Sequence, residues 1–327
     1  MNSKNILVSG ASGVIGYGIL KSLRKTEKNL RLIGATVFLD SVAQGFCDIF
    51  VQPPLTSDAA YMDWLLGTIK KYGVDLIIPG IEPDLFKWCE HSDEIEKAGA
   101  QIVMNDKNLI FLCQDKWKFY ERLKECNSPY LIDTSLSSDF EFLVKRFGFP
   151  FLLKPRCGNG SRGIVKVESI DVFLKHQAGI GEVLMAQPIV GQDEEEYTTS
   201  AFCDGKGGYF ASLSLKRRLA REGYTEKAEV VHEEGIADAL VDLCDYFKPV
   251  GPTNFQFRKH DGIMKLLEIN PRISSSTSIR AGFGYNESSL AVEFYLENQK
   301  LTKPIVRAGR AVRYLEDFFF YEDGINF

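Results

Sequence analysis

The chain has 327 residues, of which 45% are hydrophobic and 25% charged, and its net charge is −5 at pH 7. This composition is typical of a globular protein with a buried core, and the length predicts two to three domains. The acidic balance argues against non-specific binding of nucleic acid, which requires a basic field. No apolar run reaches the roughly 18 residues of a membrane span. We therefore expect neither nucleic acid nor a membrane as a partner.

Cysteine and histidine usage excludes further classes of site. The seven cysteines are scattered without a Cys-x-x-Cys pair, and the four histidines have no metal-type spacing. This usage indicates reduced thiols and argues against a disulfide framework or a zinc site. The N-terminus leads directly into a strand at 5–8, which leaves no room for a signal peptide. We therefore predict a cytoplasmic protein.

Residues 1–112 alternate strand and helix patterns, which predicts βαβ units around a parallel sheet. The predicted strands are at 6–8, 31–38 and 74–79, with a helix ending near residue 25 and another at 61–72. The glycine-rich run 10–16 resembles a dinucleotide-binding fingerprint, and Asp40 lies at a plausible distance for a ribose contact. The fingerprint is incomplete, however, because a serine precedes Gly10. Two interpretations stay open: an NAD(P) site, or a turn that packs a helix closely on the sheet.

The remainder of the chain predicts two further segments. Two helices are predicted between 106 and 127, the second at 115–125. A small α+β module follows, with strands at 151–154, 164–167 and 183–187 and helices near 140–147 and 171–176. After Gly191 the pattern becomes antiparallel, with strands at 197–203, 208–215 and 228–231 and helices at 233–247 and 286–298. We predict three domains, with bounds 1–112, 113–190 and 191–327.

A predicted hairpin near the C-terminus carries the most informative side chains. Asp-Gly at 261–262 is a strong hairpin signal. Strand alternation places Glu268 and Asn270 on one face and Leu267 on the other, and Gln256 has the matching position on the partner strand. Oxygen ligands on a stiff support suit Mg²⁺, which binds through one or two carboxylates and substrate phosphates. The alternative is an antiparallel ribbon with a solvated polar face.

Two cationic features point to an anionic ligand. Lys154 ends an apolar strand and is followed by a glycine-rich loop at 158–163, whose backbone N–H groups could lie over phosphates. The alternatives are a surface lysine and a plain hairpin turn. The basic run 216–218 is the second feature, and alternation directs Lys216 and Arg218 to one face and Arg217 to the other. Its partner would be an anionic substrate or the transferred phosphate, and the alternative is a solvated strand end.

In this order the motifs resemble the ATP-grasp superfamily over essentially the whole chain. The likeness is to one synthetase half of the carbamoyl phosphate synthase large subunit and to related carboxylate–amine ligases. The resemblance rests on Asp115-Lys116, on Lys154-Pro155 with its glycine loop, on 185–191 and 194–197, and on Gln256 and the run 268–272. It implies an α/β and α+β fold, in which an N-terminal Rossmann-like (pre-ATP-grasp) parallel-sheet domain precedes a small lobe and a C-terminal lobe, with ATP between the two lobes.

The resemblance also implies roles for individual residues. The implied ATP-binding residues are Lys116, Lys154, Gly158, Gly160, Ser161, Arg162, Gly163, Ala186, Gln187, Ile189, Glu194 and Glu196. Two Mg²⁺ ions, replaceable by Mn²⁺, would be held by Gln256, Glu268 and Asn270. Arg272 would hold an acid substrate or an acyl-phosphate, and Arg218 is the second predicted catalytic residue. Gln187 and Pro188 depart from the family, in which many relatives have glutamate at the adenine hinge, and Glu195 is expected to be solvated.

The implied reaction is ligation through an acyl-phosphate. A small-molecule carboxylate would be phosphorylated by Mg-ATP, giving ADP, and then attacked by an amine or ammonia. Substrate choice would depend on Ser12, Glu82, Asp84, Arg218 and Arg280, and a homodimer is common among relatives. The alternatives are a kinase-like or carboxyphosphate-forming enzyme, a non-catalytic nucleotide-binding regulator, and an NAD(P) oxidoreductase.

Overall fold

A computed structural model describes residues 3–158, 163–297 and 301–321 of the chain. Its strands form a five-stranded, a three-stranded and a six-stranded sheet. Each sheet lies within one of the three predicted segments, although the division into domains itself stays a prediction. No helix within the described ranges is both long enough and apolar enough to cross a membrane.

The N-terminal sheet is parallel, as predicted. Its strands are β1 (Lys4–Val8), β2 (Leu30–Ala35), β3 (Ile49–Val51), β4 (Leu76–Ile78) and β5 (Gln101–Ile102), in the order β3-β2-β1-β4-β5. The helices are α1 (Val14–Leu23), α2 (Tyr61–Tyr72), α3 (Glu82–Glu90) and α4 (Ser92–Lys97). The strand order reverses between β1 and β4. In open α/β sheets, ligands bind at such a reversal, beyond the carboxyl ends of the strands.

The middle of the chain forms a small antiparallel sheet behind two leading helices. The helices are α5 (Lys107–Gln114), α6 (Lys116–Glu125), α7 (Phe140–Phe147) and α8 (Ile170–His176). Strands β6 (Phe151–Pro155), β7 (Val165–Val167) and β8 (Leu184–Pro188) are arranged β7-β6-β8. Phe151 and Leu153 are fully buried in the core of this module. Because strand residues alternate, Leu152 and Lys154 face away from that core.

The C-terminal part is built on a six-stranded antiparallel sheet. Its strands are β9 (Glu196–Asp204), β10 (Tyr209–Leu219), β11 (Thr225–Val231), β12 (Val250–His260), β13 (Ile263–Asn270) and β14 (Arg310–Val312), in the order β13-β12-β9-β10-β11-β14. The helices are α9 (Glu234–Phe247), α10 (Thr277–Gly282) and α11 (Glu287–Val292). The helix predicted at 286–298 is therefore α11, continued by a π-helical turn at Glu293–Glu297, and residue 298 lies outside the described ranges.

The predicted hairpin is confirmed as β12 and β13. Asp261 and Gly262 have φ values of 50° and 78°, as a two-residue turn with positive φ at both positions requires. The pairing shifts between Gln256, which faces Glu268, and Phe257, which faces Leu266. Leu267 is therefore an extra bulge residue, and its predicted position on the apolar face was wrong. A bulge interrupts the alternation and re-aims a side chain.

Candidate functional site

A cavity of about 650 Å³ is lined by residues from all three sheets or their loops. Its size lies in the range of small-molecule sites, roughly 300–1,000 Å³. Gly80 and Glu82 come from the end of β4 and the start of α3, Lys154 from β6, and Glu268 from β13. The point where the strand order of the parallel sheet reverses and the outward face of β6 therefore line the same cavity.

One part of the cavity is apolar. The side chains of Ile132, Leu152, Ile164, Val190 and Leu267 line it. Leu152 is available because it shares the outward face of β6 with Lys154, and Leu267 because of the bulge in β13. Apolar walls with a few polar groups are typical of a site for a flat ring.

Two lysines meet at the next part of the cavity. Asp115 caps α6 by accepting from the N–H of Trp117 at 2.9 Å, and it pairs with Arg156 at 2.7 Å. The N–H of Lys116 also donates to the carbonyl of Arg156 at 2.8 Å. The start of α6 is thereby fixed to the end of β6, and Lys116 joins Lys154 in the cavity wall.

The electrostatics of this wall favour an incoming anion. Burial lowers the pKa of Lys154, against the opposing influence of the Glu268 carboxylate, and Lys116 lowers it further. The ammonium of Lys116 donates to the backbone carbonyl of Gly158 at 2.5 Å. An anion placed between the two ammonium groups would favour their charged forms.

The predicted oxygen ligands lie together. Glu268, Asn270 and Gln256 all line the cavity, and the Asn270 amide donates to Glu268 Oε1 at 3.0 Å. Within the described ranges, no cluster of three or more His, Cys, Asp or Glu side chains is arranged to hold a metal ion. One carboxylate with two carboxamides still fits Mg²⁺, which usually takes its remaining oxygens from water and substrate phosphates.

The buried arginine of the basic run is Arg217, which corrects the prediction of Arg218. Arg217 has a side chain 4% exposed; it pairs with Glu196 at 2.9 Å and donates to Gln256 Oε1 at 2.8 Å. Arg218 is 74% exposed, lies 3.9 Å from Glu226 and does not line the cavity. Alternation correctly separated the two faces, but which face meets the cavity is decided by the position of β10 in the sheet.

Residues around the five-stranded parallel sheet close the far end of the cavity. Arg272, directly after β13, pairs with Glu82 at 2.5 Å, and Ser274 and Ser275 lie beside it in the wall. The start of α1, from Gly13 to Ile15, lines the same end. Three other residues predicted to select the substrate are used elsewhere: Ser12 bonds Thr36, Asp84 bonds Thr56, and Arg280 pairs with Glu287.

Comparisons with known proteins agree with this architecture. The sequence model of a family described as ATP-grasp in the biosynthetic pathway with Ter operon matches residues 183–318. The C-terminal section of the carbamoyl phosphate synthase large chain of Methanocaldococcus jannaschii is 25% identical over 195 residues, which are 55% of this chain and 32% of that protein. The chain thus spans about a third of that relative.

Solved structures resemble nearly the whole chain. N5-carboxyaminoimidazole synthetase from Staphylococcus aureus with ADP has a TM-score of 0.69 at 17% identity, covering 93% of this chain and 80% of that one. The biotin carboxylase domain of Hydrogenobacter thermophilus 2-oxoglutarate carboxylase, with MgADP and bicarbonate, has a TM-score of 0.72 at 16% identity, covering 94% and 73%. The chain has an ATP-grasp fold. The predicted fold class is thereby confirmed.

The residues predicted to contact adenine, Ala186, Gln187 and Ile189, are largely engaged within the protein or lie outside the cavity wall. Ala186 is fully buried, and its N–H and carbonyl both bond to the backbone of Ser135, at 2.8 and 3.0 Å. Ala186 therefore has no free N–H for a ligand, because β8 continues through it. Gln187 lines the cavity, but its side-chain amide donates to Thr134. Pro188 and Val190 also line the cavity, whereas Ile189 does not.

The glycine-rich loop at 158–163 is described only at its two ends. Gly158 lines the cavity, whereas Gly163 does not. Gly163 has φ +75°, and a Cβ there would meet the Pro155 ring at 2.9 Å, so glycine is needed for packing. The predicted ligands Gly160, Ser161 and Arg162 lie outside the described residues.

The three glutamates of the acidic run have three different environments. Glu194 is exposed and lies outside the cavity wall. Glu195, expected to be solvated, instead accepts from Lys216 at 2.5 Å and from Tyr197 at 2.8 Å. Glu196 lines the cavity, but Arg217 and Arg258 hold its two oxygens. The sequence analysis did not predict Arg258 as a cavity residue. Strand alternation could have predicted it, because Arg258 lies two residues after Gln256 on β12 and shares its face.

The run 10–16 packs tightly, as one of its two interpretations requires. A Cβ on Gly16 would lie 2.3 Å from the Gly10 carbonyl oxygen, and a Cβ on Gly80 would lie 2.1 Å from the Ser9 carbonyl oxygen. These contacts hold α1 against the ends of β1 and β4. Close packing of α1 on the parallel sheet accounts for these glycines.

Proposed function

We propose that the protein is an ADP-forming ligase that uses Mg-ATP to activate a small carboxylate for attack by an amine or ammonia. One observation carries this proposal: a single cavity contains Lys116, Lys154, the oxygen ligands around Glu268, and Arg272. The carbamoyl phosphate synthase relative supports a synthase-type reaction, and the two neighbours solved with ADP support a nucleotide as the ligand. Because the chain spans about a third of that relative, the complete synthase reaction is not assigned to it.

The proposed nucleotide follows the chemistry of the wall. The base would lie among the apolar side chains, with its edge along the backbone at 188–190. Lys154 and Lys116 would contact the phosphates as point charges. Glu268, Asn270 and Gln256 would hold Mg²⁺, which when bound offsets charge on the β- and γ-phosphate oxygens. Glu196 stays our proposal for the ribose, although its arginine partners leave it little free acceptor capacity.

Arg272 would hold the acid at the far end of the cavity. A carboxylate oxygen attacks the γ-phosphorus, an O–P bond forms, and the bond from phosphorus to the β–γ bridging oxygen breaks to release ADP. The amine then forms a C–N bond while the C–O bond to phosphate breaks, and the amine proton leaves. The chain supplies positioning and fixed charge and needs no nucleophile of its own. Closing the lobes would keep water from the acyl-phosphate.

The test is an assay of nucleotide products. The protein with Mg-ATP and pooled small acids and amines is expected to release ADP and phosphate; AMP and pyrophosphate would contradict the acyl-phosphate route. Release of a stable phosphorylated acid in the absence of amine would favour a kinase-like reaction. Nicotinamide cofactors are expected not to bind in a parallel titration. We further propose a cytoplasmic location, which the free cysteines support, and a homodimer, since the biotin carboxylase neighbour is described as a dimer.

A further inference from the structure

Arg313, which directly follows β14, joins three segments of the molecule. Its Nε donates to the carbonyl of Thr225 at 3.0 Å, and its Nη2 donates to the carbonyl of Ser275 at 2.8 Å. Its Nη1 donates to the hydroxyl of Tyr17 at 3.5 Å. The acceptors belong to the start of β11, the turn after Arg272 and helix α1. One guanidinium therefore holds together segments that are far apart in the chain.

Each of these segments contributes to the wall of the cavity. Ser275 lines the cavity, and so does Tyr224, which directly precedes Thr225. The centroid of the Tyr224 ring lies 5.9 Å from the guanidinium carbon of Arg313. The start of α1 lines the same end of the cavity as Ser275. Arg313 itself does not line the cavity, so any effect on a ligand must act through these neighbours.

The acceptors explain why an arginine is needed at this position. In the described part of the chain, the side chain of Arg313 donates to two backbone carbonyls and one hydroxyl, all of them uncharged. A guanidinium presents several N–H donors in a rigid planar fork, whereas the lysine ammonium is a compact point charge on a flexible stem. Removing Arg313 would therefore break three directed contacts without leaving a buried carboxylate unpaired.

The contacts of Arg313 contribute little to the core. Strand β14 has three residues, and Tyr314 and Leu315, which follow Arg313, are 75% and 94% exposed. The turns on either side of the guanidinium are also joined by a hydrogen bond between the hydroxyls of Thr225 and Ser276 at 2.8 Å. Without Arg313 the turns should therefore stay close together, but their carbonyls would no longer be held in one arrangement against α1.

We infer that Arg313 is a positioning residue for the acid substrate; this inference rests on the proposed function. Arg272 would hold the acid, and Ser275 and the start of α1 form the wall beside it. A wall that shifts lets the acid take several orientations toward the γ-phosphate, and a misplacement of about 1 Å can cost a reaction about 10²-fold. Arg313 donates to none of the predicted nucleotide and metal ligands that the structure describes. Nucleotide affinity should therefore not depend on it.

The test compares Arg313→Met with Arg310→Met, the same change at an exposed position of β14. ADP release is measured at saturating Mg-ATP, with the pooled amines held constant and the pooled small acids diluted together, which gives an apparent kcat/KM for the acids. Arg313→Met is expected to lower this value about tenfold or more, whereas Arg310→Met should stay within about twofold of the wild type. Mg²⁺-dependent affinity for a non-hydrolysable ATP analogue should stay within about threefold in both variants.

Arg313→Lys guards against a variant that fails to fold. It keeps the positive charge but not the fork, so we expect it to lose acid turnover nearly as far as Arg313→Met while its thermal midpoint stays close to that of the wild type. Wild-type turnover in Arg313→Lys would show that charge alone matters, and the inference would be wrong. It would also be wrong if acid turnover and analogue affinity fell together, or if neither changed. Absence of analogue binding or of ADP release in the wild type refutes the proposed function itself.

Discussion

Two sets of cations line the same cavity, and they differ in how their charge is balanced. On the small-lobe side, Lys116 donates to a backbone carbonyl, and burial leaves Lys154 with a lowered pKa. On the C-terminal side, the arginines are paired with carboxylates: Arg217 with Glu196, Arg258 with Glu196 and Asp193, and Arg272 with Glu82.

This difference in charge pairing predicts that the lysines contribute to ligand binding and that the arginine pairs contribute to the stability of the fold. Within the described ranges, neither Lys116 nor Lys154 forms an ion pair with a carboxylate, so an incoming phosphate can pair with both ammonium groups. A buried arginine paired with glutamate adds little net charge, but removing it leaves the glutamate buried without its partner. Substitutions at Lys116, Lys154 and Glu268 should therefore change ligand affinity, while substitutions at Arg217 and Arg258, which share Glu196, should change stability. Four measurements test this difference between the lysines and the arginine pairs.

The largest effect is expected from Glu268→Ala. Loss of the one carboxylate among the oxygen ligands should lower ADP release at least 10²-fold, since the metal contributes several kcal/mol in such sites. Mg²⁺-dependent affinity for an ATP analogue should fall with it, while the thermal midpoint changes little. Glu229→Ala, an exposed position on β11, is the matched control. Retained Mg²⁺-dependent binding in Glu268→Ala would refute the metal assignment.

The arginine pairs are tested by Arg217→Met against Arg218→Met. Arg217→Met should lower the free energy of unfolding by about 3 kcal/mol, the lower end for a broken buried pair, because Arg258 still holds Glu196. Arg218→Met should change it by less than about 0.5 kcal/mol, as is usual for an exposed side chain. Denaturant midpoints with an unchanged m-value measure both. Equal effects would contradict the assignment of the buried face.

The lowered pKa of Lys154 predicts that the affinity for an ATP analogue depends on pH. Its pKa lies below the ordinary 10.5 because of burial, and a bound phosphate beside it would raise that pKa. Binding therefore takes up a proton, and affinity should fall, by at most about tenfold per pH unit, as pH rises through the pKa of the free protein. Lys154→Arg should flatten this dependence because arginine stays charged. The exposed Lys145→Arg on α7 should keep the wild-type slope; identical slopes in all three proteins would exclude Lys154 from the phosphate site.

The smallest effect is expected from Asp115→Asn, which can still cap α6 but loses its charge toward Arg156. Burial raises the pKa of Asp115, but the Arg156 and N–H hydrogen bonds outweigh this and hold it below its usual value. The pair should contribute about 1 kcal/mol above the unfolded pKa of roughly 3.9, and this should be lost as pH falls through the lower folded value. Thermal midpoints from pH 7 to 2 should therefore converge for wild type and variant. A constant gap would contradict the pairing.

Local patterns predicted much of the fold and part of the site. Helices α2 and α7 have the predicted bounds, and the β12–β13 hairpin turns at 261–262 as predicted. These features depend on helical period and turn conformation, which short segments express by themselves. Glu268 and Asn270 share a face because they are two residues apart on one strand.

The wrong predictions share a different cause. Arg218 in place of Arg217, and the apolar side for Leu267, were errors about which face of a strand meets the cavity. Ala186 lies in the predicted strand, but its backbone is not available to a ligand because Ser135 pairs with it along the outer edge of β8. Alternation along a strand shows which side chains share a face, but it does not predict which of the two faces is buried. Which face meets the core and which meets the cavity is decided by a bulge, as at Leu267, or by the position of the strand in its sheet, as for Arg217 and Arg218.

From its amino-acid order alone, this chain determines the parallel N-terminal sheet, the hairpin that carries Glu268 and Asn270, and the succession of motifs that predicts the ATP-grasp fold. Only the tertiary structure places Arg272 against Glu82, Arg217 against Glu196, and the start of α6 against the end of β6. These pairs join residues that are far apart in the chain. Their meeting depends on how whole sheets pack, which no local period or turn signal encodes.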